Sequence, residues 1–126
     1  MKPIEWLGDK LRILDQTRLP HEKVFAEISD YHQVVAAIKE LKVRGAPAIG
    51  VAAAYGIALG AGQIKADDTE ASRQQLDGIL KDFGNARPTA VNLFRTIERM
   101  KKAASAADGI KGMKQALVDE ALRIHT

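Results

Sequence analysis

The sequence predicts an α+β fold that is mostly α: a small three-stranded antiparallel sheet over residues 1–29, then a bundle of about five helices over residues 30–126. Three observations predict it. The first thirty residues hold short apolar runs broken at Gly8-Asp9 and Leu19-Pro20, the texture of brief strands and turns. From Asp30 onward the apolar residues recur every three or four positions, the helical period. Gly, Pro and Asp residues then cut that periodic stretch into helix-sized pieces.

The strands are expected at Ile4-Glu5-Trp6-Leu7, at Leu11-Arg12-Ile13-Leu14-Asp15, and over Glu22 to Ile28. Strands this close in the chain must pair antiparallel, because parallel pairing needs a long crossover. Asp30 can cap the first helix, with Gln33 at the third position completing a capping box. Val34, Val35, Ile38 and Leu41 stripe that helix, and Arg44-Gly45 should end it. A second helix is expected from about Pro47 to Ile64, since proline is tolerated in a first turn. Asp67, Asp68 and Thr69 offer caps for a third, striped by Leu76, Ile79, Leu80 and Phe83 and closed by Gly84-Asn85. Pro88-Thr89 restarts the chain, and Val91, Phe94, Ile97 and Met100 stripe a fourth. Ala104 to Gly112 reads as a connection, and a fifth pattern starts near Met113 with Leu117, Ala121 and Ile124 on one side. No Gly, Asn or Pro follows to stop it, so the chain is expected to be cut from a longer one.

At 126 residues with 46% hydrophobic and 28% charged residues, the chain can bury a core without staples. Cysteine is absent, which excludes a disulfide framework, a thiolate metal site and a cysteine nucleophile. It also suits a reducing, cytoplasmic compartment. No secretory leader is read at the N-terminus. The net charge is +3, but Lys and Arg are spread among Asp and Glu. Aromatics make up only 5%, too few for a base-stacking platform. Neither nucleic acid nor a membrane is expected as a partner. The Ala- and Gly-rich run from Ala48 to Gly62 is too short for a comfortable span and reads as a buried, closely packed helix.

The segment Val43-Arg44-Gly45-Ala46-Pro47-Ala48-Ile49-Gly50 carries the chemistry. It sets a fixed cation and two small residues just before a helix start. There, unpaired N–H groups and a partial positive charge favour an anion. Arg44 can hold two phosphate oxygens at once, and Gly45 and Ala46 allow close approach to the backbone. An ordinary helix-to-helix turn would use the same residues. A second segment, Ala86-Arg87-Pro88-Thr89-Ala90-Val91-Asn92-Leu93, repeats the layout of arginine, proline and helix. Two such corners could converge on one anion; two capped helices are the plain alternative.

Taken with the early Leu14-Asp15-Gln16-Thr17-Arg18-Leu19-Pro20, these segments closely resemble the N-terminal domain of the S-methyl-5-thioribose-1-phosphate isomerase family. The resemblance runs over essentially the whole chain. The wider superfamily holds ribose-1,5-bisphosphate isomerases and the regulatory alpha, beta and delta subunits of initiation factor two-B. Those relatives share Arg-Gly-Ala but usually lack the Pro-Ala-Ile-Gly that follows here. The resemblance implies that Arg44, Gly45, Ala46 and Arg87 bind a sugar-phosphate substrate, chiefly around its phosphate. It places the family's catalytic cysteine and aspartate further on, in a Rossmann-like C-terminal domain. No catalytic residue is therefore expected in this chain, which by itself should be inactive. No metal or organic cofactor is implied, and the whole enzyme is expected to be a homodimer acting in methionine salvage. A regulatory or assembly domain of the initiation factor kind is the alternative. His21, His32 and His125 show no ligand spacing and read as surface or capping residues, and Asp15 and Gln16 could reach the substrate side or simply hold their turn.

Overall fold

A computed structural model describes residues 4–15, 24–40, 46–65, 68–86 and 91–125. Three strands, β1 (Ile4–Trp6), β2 (Leu11–Leu14) and β3 (Phe25–Ile28), precede five helices: α1 (Tyr31–Lys39), α2 (Ala46–Gly62), α3 (Thr69–Gly84), α4 (Val91–Ala106) and α5 (Gly109–His125). The mostly helical α+β architecture is the one expected.

The sheet runs β1-β2-β3, antiparallel throughout, with Ile4 opposite Ile13 and Leu11 opposite Ile28. Period-2 alternation sends Ile4, Leu11, Ile13 and Ile28 into the core. Arg12 points the other way, opposite Glu5 and Glu27, and lies 4.2 Å over the Phe25 ring. Gly8, at φ 94°, supplies the left-handed residue of the first turn, closed by Leu7 N–H donating to the Lys10 carbonyl at 2.9 Å.

The bundle is organised around α2. Almost every residue from Ile49 to Ala61 is buried, because this helix is apolar around its whole circumference and can be satisfied only at the centre. It touches α1, α3, α4, α5 and the first two strands. Its glycines permit the close approaches. A Cβ at Gly56 would strike the Phe83 ring and Val34, and one at Gly60 would meet Tyr31 and Ile79. The same contacts give direction. Gly56 lies by Phe83 and Gly60 by Ile79, so α3 runs antiparallel to α2. Arg73 donates to the carbonyls of Ala104 and Ala107, and Gly84 lies by Ile97, so α4 runs antiparallel to α3. Helices α2 and α4 are therefore parallel and start at the same end of the bundle. Trp6 stacks on Tyr55 at 5.5 Å, which seats the sheet against the middle of α2.

Several local expectations change. Phe94 is 64% exposed, and the inward stripe of α4 is instead Leu93, Thr96, Met100 and Ala104, with Ile97 partly covered. The helix must face α2, α3 and α5 together, and that contact wedge is centred one residue away from the expected one. The expected connection from Ala104 to Gly112 is mostly helix: α4 continues to Ala106 and α5 begins at Gly109, at φ 73°. Asp30 caps α1 through the His32 amide at 3.0 Å, with the His32 ring on the same carboxylate at 2.8 Å. Gln33 joins this cap through its backbone N–H to the Asp30 carbonyl. Asp68 caps α3. The expected contributions of Glu22, Leu41, Asp67, Pro88 and Thr89 lie outside the described residues, as does His21.

Candidate functional site

Of the residues assigned to anion binding, Arg44, Gly45 and Arg87 lie outside the described residues, and Ala46 is the first residue of α2. What the fold decides is the setting to which those segments are joined. Gly50 packs against the first turns of α4: a Cβ built there would stand 2.9 Å from Thr96 Oγ1 and 3.6 Å from the Asn92 carbonyl oxygen. The starts of α2 and α4, more than forty residues apart in sequence, thus stand side by side. In sequence, the Arg-Gly-Ala segment precedes α2 and the Arg-Pro-Thr segment precedes α4.

The electrostatics of the two ends differ. At the far end, Lys114 donates to the carbonyls of Ile64 at 2.7 Å and Gly62 at 3.5 Å, and Arg73 donates to the end of α4. Cations there complement the negative ends of α2 and α4. Helices α1 and α3, which start at that far end, have Asp30 and Asp68 as caps. Neither α2 nor α4 has an acidic residue in its first turn. Two parallel helices then add their positive ends.

Between these starts lies a cleft of about 250 Å³, lined by Pro47, Gly50, Val51, Asn92, Arg95, Thr96, Arg99 and Ile124. Arg99 is held by Glu120, which also accepts from Arg123 at 2.9 Å. Burial raises the Glu120 carboxyl, but hydrogen bonds from Arg123 and Arg99 outweigh it and hold the group below its ordinary value. Arg95 makes no ion pair or hydrogen bond among the described residues. Arg95 and Thr96 were not singled out by sequence. Their signal is faint: they stand three and four places after Asn92 in the Arg-Pro-Thr segment, the spacing that shares a helix face.

Elsewhere, Asp15 lines a cleft beside the sheet with Glu27, Gln33 and Glu40, and its N–H donates to the Val24 carbonyl at 2.7 Å. Tyr31 donates to Asp82 at 2.6 Å in a wider cleft of about 670 Å³ that also takes in His32. Burial and the Asp82 carboxylate push the Tyr31 phenol up to about 12. The His125 ring meets the Tyr55 hydroxyl at 2.5 Å. Among the described residues no group of His, Asp or Glu is arranged to hold a metal, and no helix is long and apolar enough to cross a membrane.

Comparison with known proteins bears on the fold and the family. The methylthioribose-1-phosphate isomerase of Dehalococcoides mccartyi is 49% identical over 125 residues, which is 99% of this chain and 38% of that protein. The one from Geobacter metallireducens is 50% identical over 98% of this chain and 36% of its own length. The crystal structure of 5-methylthioribose 1-phosphate isomerase from Pyrococcus horikoshii superposes with a TM-score of 0.93 at 36% identity, covering 98% of this chain and 35% of that one. The delta subunit of translation initiation factor eIF-2B from A. fulgidus superposes at 0.91 with 37% identity, covering 98% and 36%. The chain thus spans a little over a third of the length of the curated relatives it matches. Residues 42–126, from just before the Arg-Gly-Ala segment through the last helix, match the Initiation factor 2 subunit family, and the chain belongs to it.

Proposed function

We propose that this chain is the substrate-capturing N-terminal part of a methylthioribose-1-phosphate isomerase, with Arg44, Gly45, Ala46 and Arg87 binding the sugar phosphate. One observation carries the reading: the two helices that follow these arginines run parallel and begin side by side, with Gly50 against Asn92 and Thr96. A phosphate there would meet unpaired amides and two guanidinium groups together.

The chemistry explains the need for such a grip. An aldose with phosphate on its C1 oxygen has no free aldehyde to enolise, so its ring must open before hydrogen moves between C1 and C2. Binding energy from the non-reacting phosphate can hold the sugar for that step. The acid and base groups belong to a further domain. The chain has no cysteine, and the resemblance assigns catalysis to a cysteine and an aspartate that this chain does not provide. Within the longer protein the work is aldose–ketose isomerisation in methionine salvage, in the cytoplasm and as a homodimer.

The fold is equally that of an initiation factor delta subunit, so fold alone does not separate catalysis from a regulatory or assembly role. Identity of 49–50% to isomerases, together with the Pro47-Ala48-Ile49-Gly50 continuation, favours the enzyme. The test is isomerase turnover by the longer protein that carries this domain, wild type and with Arg44→Gln or Arg87→Gln. Each substitution should raise KM and lower kcat/KM by about a hundredfold, the cost of a lost charge-assisted contact in a closed site. No turnover in the wild-type protein, or full activity in both variants, would refute the assignment.

A further inference from the structure

We infer that the cleft enclosed by the first hairpin, the end of α2 and α5 is a second binding site, and that it takes a small zwitterion with an apolar tail, of the α-amino acid class. It lies at the opposite end of α2 from its start, about 25 Å along a helix of 17 residues. It does not rest on the reading above.

The charges in the cleft select the ligand. Its volume is about 400 Å³, and among the described residues Asp9 and Lys114 are the charged groups that line it. They are not paired with each other. The Asp9 carboxylate makes no ion pair or hydrogen bond among the described residues, and Lys114 donates to the carbonyls of Ile64 at 2.7 Å and Gly62 at 3.5 Å. An ammonium has three N–H groups, so Lys114 keeps one for a ligand while the end of α2 holds it in place. A simple anion would be drawn to Lys114 and repelled by Asp9, and a simple cation the reverse. A molecule carrying both signs on neighbouring atoms gains from both.

The walls supply the rest. Trp6 and Val118, both half-buried, line the cleft beside Leu59. Trp6 is fixed by its stack on the buried Tyr55 ring, with centroids 5.5 Å apart and planes 8° from parallel. The wall is thus formed before a ligand arrives, which lowers the ordering cost of binding. An apolar chain laid on the indole and Val118 leaves water. The volume stands near the lower end for small-molecule sites, the scale of an amino acid rather than a large cofactor. In this arrangement the ligand carboxylate accepts from Lys114, its ammonium donates to Asp9, and its side chain lies against Trp6 and Val118.

Trp6 is the only tryptophan in the chain, so its emission reports on the cleft directly. The test titrates the 126-residue chain with L-norleucine at low salt, following Trp6 fluorescence and the amide NMR shifts of residues 6–9 and 114–118. Hexanoate lacks the amine, pentylamine lacks the carboxylate, and L-serine is a polar zwitterion; all three are run beside it. Norleucine should give a saturable change in both signals, and each of the other three should bind at least about tenfold more weakly. Asp9→Asn, at an exposed position, should weaken norleucine binding about threefold. Lys114→Gln should weaken it about tenfold, and Lys111→Gln, on α5 outside the cleft, should bind as wild type. Lys114 also holds the end of α2, so circular dichroism accompanies its variant, and Asp9→Asn decides if that variant unfolds. Hexanoate or pentylamine binding as tightly as norleucine would overturn the zwitterion, as would wild-type affinity in both Asp9→Asn and Lys114→Gln. Serine binding as tightly would overturn the apolar wall. No saturable change in either signal would overturn the site itself.

Discussion

Replacing Gly56 by alanine should destabilise the chain, although the same change elsewhere in a helix is stabilising. On propensity alone, alanine gains about 0.8–1 kcal/mol over glycine in a helix interior. At Gly56 the new methyl would run into the Phe83 ring and Val34, both 0% exposed and carried by two different helices. Neither neighbour can yield without moving α3 or α1 away from α2. Overpacking of this kind costs about 1–3 kcal/mol, to which separation of the central helix from its partners adds. The net expectation is a loss of about 1–2 kcal/mol. Gly78 is the internal control: it lies in the exposed middle of α3 with nothing within 4 Å of an added Cβ. Gly78→Ala should therefore stabilise by about 0.5–1 kcal/mol. Urea unfolding followed by far-UV circular dichroism would show the two midpoints moving in opposite directions with an unchanged slope. In Tm, each kcal/mol corresponds to about 3–6 °C for a chain of this size. Adding Phe83→Leu should recover part of the Gly56→Ala loss, because the two positions share one contact. If Gly56→Ala stabilises as Gly78→Ala does, the close approach of α2 to α3 is refuted.

Other outcomes follow from the charges and the motifs. Glu120→Gln should cost about 1 kcal/mol at neutral pH, because Arg99 and Arg123 are both exposed enough for solvent to screen the attraction. The folded carboxyl is held low, so this contribution is present above the ordinary value near 4.5 and is lost as pH falls through the lowered one. Wild-type and variant stabilities should converge in acid. The chain has two tyrosines, and both phenols are raised, Tyr31 to about 12 and Tyr55 by burial. A spectrophotometric titration should show both phenols ionising at higher pH in the folded protein than in the unfolded chain. Unfolded chains ionise at about 10, so stability should decline from about pH 10 upward. Asp68→Ala should cost about 1 kcal/mol through loss of the α3 cap. The purified 126-residue chain should give no isomerisation of methylthioribose 1-phosphate above a buffer blank.

Caps, turns and periodicity were legible because each is an interaction between neighbours in the chain. Asp30 and Asp68 accept from amides two residues on, and Gly8 turns a hairpin whose two strands lie within eleven residues. The stripe of α3, Leu76, Ile79, Leu80 and Phe83, is buried as its spacing requires. Composition likewise placed the Ala- and Gly-rich helix at the centre, since a segment apolar on all sides has no face for water. The rotation of α4 was not legible. Val91, Phe94, Ile97 and Met100 keep helical spacing as well as the observed stripe does, and only the positions of α2, α3 and α5 select Leu93 over Phe94. The motifs marked two arginine corners, but nothing local says that the helices after them start side by side. That juxtaposition depends on lengths: α2 has 17 residues and α3 has 16. At about 1.5 Å per residue, the chain descends one helix, climbs the next, and begins α4 beside the start of α2. That juxtaposition sets the Thr96 side chain against Gly50, a relation between residues 46 positions apart that only tertiary packing creates.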